Sequence, residues 1–272
     1  MLDATDLTSK PAYVDFTEAG AGSLVVLVHS SMAGARQWSA LTHDLQDRYL
    51  VRAVNLFGYG NTPAWPETTP PSLDDYAELV ASAVPESARN VALIGHSFGG
   101  AVAMQAAAHQ LRVQVERLVL IEPSPFYLLD IRGHREAFCE ISRLAEYTSR
   151  CIANRIPEAA AERFIDYWCG AGTWTASSAD RQGVFTRSIG LLLAEWNALL
   201  AGENTLAEWT AELPHDTLMI SSTKTTLPSR ELVKLLLDAR PDWEWASICD
   251  AGHMAPLTHP QLVNPIIRGF LR

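Results

Sequence analysis

The chain has 272 residues, 48% hydrophobic and 19% charged, so it can bury a large core and does not read as a disordered polymer. Its formal net charge of -10, with no Lys/Arg cluster to offset it, argues against nucleic-acid and anionic-membrane partners. The opening MLDATDLTSKPAYVDF has no apolar signal core and no apolar run reaches the length of a membrane span, so a cytoplasmic location is expected. Cys139, Cys151, Cys169 and Cys249 show no CxxC spacing and read as free thiols.

In chain order, AYVDFTEAGAG reads as a strand and a glycine turn. SLVVLVHS, Ser23 to Ser30, is a continuous apolar run, as expected of a strand buried on both faces. A helix is expected over Gln37 to Leu50, with Trp38, Leu41, Leu45 and Tyr49 near one face. LVRAVNLFGYG is a strand ending in glycines. SLDDYAELVASAV is a helix with Ser72 as its N-cap and acids in its first turn. NVALIGHS is another buried strand, followed by a helix of small residues from Phe98 to His109. VERLVLIEPS is a further strand.

Between Pro125 and Pro214 the pattern changes to helix-length segments, roughly 133–153, 157–169 and 179–201. Phe138, Ile141, Leu144, Ala145 and Tyr147 trace one amphipathic face of the first. Strand patterning returns in DTLMISS, with a helix over Ser229 to Ala239, then EWASIC, then a helix over Pro256 to Leu271. The alternation predicts an α/β fold: a mostly parallel central sheet with helices on both faces. Residues 1–125 and 214–272 form its core domain, and 126–213 form an inserted helical cap. Open α/β sheets bind ligands beyond their strand ends, so the cap is expected to act as a lid. Trp168, Trp174 and Trp196 in the cap, with Met32 and Phe57 at the mouth, are the candidates for an apolar substrate pocket.

Gly95-His96-Ser97-Phe98-Gly99 fits G-x-S-x-G between a buried strand and a helix. That context lets a serine sit on a sharp turn with its Oγ exposed, and it needs small neighbours for close strand–helix approach. The following helix N-terminus directs positive potential at the reaction centre. Ser97 is the candidate nucleophile. The N–H of Phe98, the next residue, is a candidate oxyanion donor.

Four segments in order give the chain a resemblance to the α/β-hydrolase superfamily over nearly its whole length: LVHSSMAGARQW, NLFGYGNTP, GHSFG and DAGHMAPLTHP. The resemblance implies that the Ser31 N–H is the second oxyanion donor and that His29 positions this loop. Ser30 stands where the family usually has glycine, so either it follows the backbone path that glycine normally takes or the loop differs. His253 follows the last strand and precedes a helix, in the chain order expected of the base; His259 is the weaker candidate.

The acid is not where the family usually has it. The loop after the first strand beyond the cap reads ISSTKTTLPS, with Thr225 near the acid's position and no Asp or Glu from Met219 to Arg230. Glu122 is the natural replacement, because it ends the strand next to the nucleophile's own, and neighbouring parallel strand ends share one sheet edge. Pro123 is expected to hold Glu122 extended. Some haloalkane dehalogenases and the zearalenone lactone hydrolases place their acid here, and the latter are also similar in pairing it with serine. Asp130 and Asp250 are the fallbacks.

The expected activity is hydrolysis of a carboxylic ester or lactone of a small, largely apolar substrate through an acyl-enzyme. The resemblance leaves open a cofactor-independent dioxygenase, a C–C bond hydrolase and a non-catalytic small-molecule sensor. No metal constellation or phosphate-binding loop is visible, so no cofactor is expected.

Overall fold

The computed structural model describes residues 13–202 and 204–272. Ala12, the first residue of the expected opening strand, lies outside the described residues, as does the opening segment read for a signal. Seven strands form one sheet: β1 (Phe16–Ala19), β2 (Ser23–Val28), β3 (Tyr49–Val54), β4 (Val91–His96), β5 (Val115–Ile121), β6 (Thr217–Ser222) and β7 (Glu244–Ile248). Their spatial order is β1-β3-β2-β4-β5-β6-β7. Only β1 runs antiparallel, paired with β3; the other pairs are parallel.

The central strands are apolar throughout because both of their faces are covered. Along β2, Val26 and Val28 join a core with Phe98 and Met104, while Val25 and Leu27 join another with Trp38, Leu41 and Ile267. Helices α1 (Ser39–Leu45), α2 (Leu73–Ser82) and α3 (Phe98–Ala108) lie between the first strands. Ser72 caps α2 through a reciprocal capping box with Asp75.

The chain between β5 and β6 is helical: α4 (Tyr127–Ile131), α5 (Arg135–Ala153), α6 (Pro157–Cys169), α7 (Thr173–Ala176), α8 (Ala179–Ser188), α9 (Leu192–Leu200) and α10 (Leu206–Glu212). Helix α11 (Leu227–Ala239) joins β6 to β7, and α12 (Ala255–Thr258) and α13 (Pro260–Phe270) end the chain. No helix among the described residues is long and apolar enough to cross a membrane.

Several boundaries differ from the sequence reading, each for a local reason. The helix expected over Gln37 to Leu50 is a 3-10 turn over Ala35–Trp38 followed by α1, and it stops at Leu45. Tyr49 and Leu50 instead pair with Ser23 and Leu24 in the sheet, where β pairing overrides the helical spacing. The segment 179–201 is two helices separated by a 3-10 turn at Ile189–Leu191, around Gly190. The last helix breaks at His259, just before Pro260. In α5, Ile141, Leu144 and Ala145 are buried, but Tyr147 is 36% exposed. Thr148 and Cys151 complete the buried face in its place.

Candidate active site

Ser97 occupies the turn between β4 and α3 at φ 54°, ψ -119°, a conformation rarely open to a residue with a side chain. The flanking glycines make the turn possible. A Cβ on Gly99 would lie 2.3 Å from the His29 carbonyl oxygen, and one on Gly95 would lie 2.3 Å from that of Gly99. Helix and strands therefore pack backbone to backbone, and the serine hydroxyl is lifted out of the turn.

The Ser97 hydroxyl donates to His253 Nε2 at 2.8 Å, and His253 Nδ1–H donates to Glu122 Oε2 at 2.7 Å. His253 is 156 residues from Ser97 and 131 from Glu122 in sequence; Ser97 and Glu122 leave the adjacent ends of β4 and β5, and His253 reaches them from the loop after β7. Glu122 is fully buried, so its carboxylate needs partners. It has them: Ser222 N–H donates to Oε1 at 2.7 Å, and the Thr225 hydroxyl donates to Oε2. Glu122 is not extended as Pro123 led us to expect. Its φ is 42°, which turns it at the strand end to meet donors from β6 and the loop after it. The fallback carboxylates lie elsewhere: Asp250 pairs with Lys224 in solvent, and Asp130 is exposed at the end of α4.

The loop after β2 carries Ser31. Its N–H is without a hydrogen-bond acceptor among the described residues, whereas its neighbours Ser30 and Met32 donate to Gln37 Oε1 and the Tyr59 hydroxyl. Phe98 is the first residue of α3, so its N–H has no intrahelical acceptor. Ser30 does not take a glycine path. Met32 is the non-glycine residue of this loop at positive φ, 61°, and the Ser30 hydroxyl donates to Gln37 Oε1 at 2.7 Å.

Two buried imidazoles brace the arrangement. His29 accepts from Leu56 N–H at Nε2 and donates from Nδ1 to the Ser30 carbonyl. Burial lowers its pKa to about 4. His96 accepts from Gln37 at Nδ1 and donates from Nε2 to the His253 carbonyl at 2.9 Å. Burial first, then the nearby His253, holds its pKa well below the usual imidazole value. Both are therefore neutral hydrogen-bonding groups at pH 7.

Two cavities meet at Ser97, sharing Ser31, Phe164 and Trp168 in their walls. One, of about 780 Å³, runs past Met32, Ile165, Phe185 and Leu257. The other, of about 10 Å³, lies between Ser97 and the helical insert. Trp168 covers the imidazole of His253, with ring centroids 4.2 Å apart. Trp196 walls the small cavity and Met32 the large one.

Phe57 and Trp174 line neither cavity. Phe57 packs against Trp65 and Tyr76, and Trp174 is buried with its N–H bonded to Asp166. Aromatic residues look alike in sequence whether they fill a core or a pocket wall.

Sequence reasoning missed Gln37, Tyr59, Ser124 and Glu195. Ser124 Oγ is 3.2 Å from Ser97 Oγ. Tyr59, from the loop after β3, accepts from Met32 N–H and donates to Glu195 Oε1 at 2.7 Å. Glu195 lies on α9, is 1% exposed, and lines the small cavity. Burial pushes its carboxyl up to about 7, against the steadying effect of Ser31 and Tyr59. A lone glutamate in an apolar helix was its only sequence signal.

A strand–serine–helix turn of this shape, at the carboxyl edge of a mostly parallel sheet with a helical insert, defines a class of hydrolytic enzymes. The model of the alpha/beta hydrolase family matches residues 25–266, and the chain belongs to that family. It is similar to the pimeloyl-(acyl-carrier protein) methyl ester esterase of Aromatoleum aromaticum, 28% identical over 262 residues, covering 90% of this chain and 98% of that protein. A shorter match, 35% identical over 101 residues and 37% of each chain, is to lipase LipV of Mycobacterium tuberculosis. Among solved structures, a thermophilic esterase from Thermogutta terrifontis superposes with a TM-score of 0.71 at 23% identity, covering 95% of this chain and 93% of that one. A bromoperoxidase from Bacillus anthracis gives 0.75 at 19% identity, covering 95% of each. The relatives with esterase names support a hydrolase; the structural matches, at these identities, speak for the fold.

Proposed function

We propose that the protein is a serine esterase or lactonase that works through an acyl-enzyme, with Ser97 as nucleophile, His253 as base and Glu122 as acid. The observation that carries this reading is the unbroken series of hydrogen bonds from Ser97 Oγ through His253 to a fully buried Glu122.

In the first half-reaction Ser97 Oγ attacks the carbonyl carbon and its proton passes to His253 Nε2. The carbonyl π electrons move onto oxygen, where the N–H groups of Ser31 and Phe98 receive the charge. One such donor lowers the barrier by about 2.7–4 kcal/mol. Collapse breaks the bond to the leaving oxygen, which takes the proton from His253. In the second half, His253 accepts a proton from water as the water oxygen attacks the acyl carbon. It then returns that proton to Ser97 as the acid leaves. Glu122 fixes the imidazole with its proton on Nδ1 and stabilises the imidazolium.

The apolar walls of the larger cavity favour an apolar substrate, and the names of the relatives favour the ester class. The test is a panel of esters and lactones across acyl sizes, run beside Ser97→Ala. Turnover of at least one substrate by the wild type and its loss in Ser97→Ala support the reading; turnover retained in Ser97→Ala overturns it.

A further inference from the structure

The mechanism leaves one buried carboxylate unused. Glu195 presents two oxygens: Oε1 accepts from Tyr59, while Oε2 is buried with no hydrogen-bond partner among the described residues. The rest of the small cavity is almost entirely apolar, with Phe126, Phe164, Trp168, Leu192, Trp196 and Leu199 around Ser97 and Ser31. A buried acceptor without a donor is costly to leave unmade, and native proteins rarely keep one without a purpose.

The cavity's place assigns its occupant. The acyl group stays bonded to Ser97 after the first half-reaction, whereas the alcohol must depart. The 780 Å³ cavity gives the alcohol room, and the one-water-sized space beneath the helical insert is left for one hydroxyl carried by a short acyl chain bonded to Ser97. We propose that Glu195 is a specificity-determining residue that accepts a hydrogen bond from a hydroxyl on the acyl chain, so that the favoured substrates are esters or lactones of short hydroxy acids. The inference rests on the acyl-enzyme reading for which end of the ester enters, but recognition by Glu195 needs no turnover. A hydroxyl suits the site better than an ammonium, because an apolar pocket desolvates a cation at far greater cost.

Binding tests this separately from catalysis. The Ser97→Ala protein is titrated with matched methyl esters, butyrate against its 2-, 3- and 4-hydroxy and 2-amino analogues, read by tryptophan fluorescence and calorimetry. At least one hydroxy ester is expected to bind tenfold or more tighter than methyl butyrate, as for a hydrogen bond that satisfies an unpartnered buried acceptor. In Ser97→Ala/Glu195→Met that ratio is expected to fall below about threefold. The inference is overturned by ratios within about threefold for every hydroxy ester, which would mean that the space holds only a water. It is also overturned by tighter binding of the amino ester, by no binding of any member, or by a preference that survives Glu195→Met. The ratio in Ser97→Ala decides the matter even where the double variant does not fold. Loss of ester turnover in the wild type would instead count against the esterase reading.

Discussion

Thr225 and Glu122 are joined by a hydrogen bond from the Thr225 hydroxyl to the same carboxylate oxygen that receives His253 Nδ1–H. Thr225 stands near the position where relatives of this fold usually carry their acid. Here it donates to the carboxylate of Glu122, which arrives from the neighbouring strand and is the acid under the proposed function. The two positions thus meet at one carboxylate oxygen, from adjacent strand ends.

Glu122→Gln is expected to lower kcat by about 10⁴-fold while leaving the fold intact. The carboxamide can still accept from Ser222 N–H, but its NH₂ then faces Nδ1 and favours the imidazole tautomer that cannot accept the Ser97 proton. Steady-state kinetics on the best substrate of the panel, with circular dichroism as the fold control, check this.

Moving the acid to the more usual loop tests the same geometry in reverse. Glu122→Gln/Thr225→Asp is expected to recover at least tenfold of the activity that Glu122→Gln loses. Thr225→Asp alone sets two carboxylates side by side and is expected to lower both stability and activity. The measurement is kcat/KM and the thermal midpoint for the three variants.

Much of this arrangement was legible in the sequence, and the parts that were not share a cause. Gly95 to Gly99 carry their reason locally, in the packing of one turn. The pairing of Glu122 with His253 required the strand order, which the strand–helix alternation and the resemblance supply. Its backbone turn at φ 42° was not readable, because it depends on Ser222 and Thr225, about 100 residues away. Glu195 was invisible for the same reason, since Tyr59 lies 136 residues earlier. The helix end at Leu45 was missed because the pairing of Tyr49 with Ser23 outweighs helical spacing.

Stability is expected to depend on pH through two buried groups of opposite sign. The folded-state pKa of Glu195 is raised from 4.5 to about 7. Its contribution is present below pH 4.5 and is lost as pH rises to 7, by roughly 3 kcal/mol. Glu195→Gln, which cannot ionise, should therefore gain stability relative to wild type between pH 5 and pH 8. Denaturant titrations of both proteins at the two pH values check this, and an unchanged difference would contradict it.

The folded-state pKa of His29 is lowered from 6.5 to about 4. Its contribution is present above pH 6.5 and is lost as pH falls through that window, again by roughly 3 kcal/mol. His96 adds to the loss in the same direction. Against a Glu195→Gln background, where the opposing group is silent, unfolding free energy is expected to fall steadily from pH 7 to pH 4.5.

The central claim is that Ser97 is an activated nucleophile. Intact-mass and peptide mass spectrometry after brief exposure to a fluorophosphonate tests it most directly. The account predicts one adduct per chain, located on Ser97, forming far more slowly in His253→Ala. An unlabelled wild-type protein, or a label on any other residue, would contradict it.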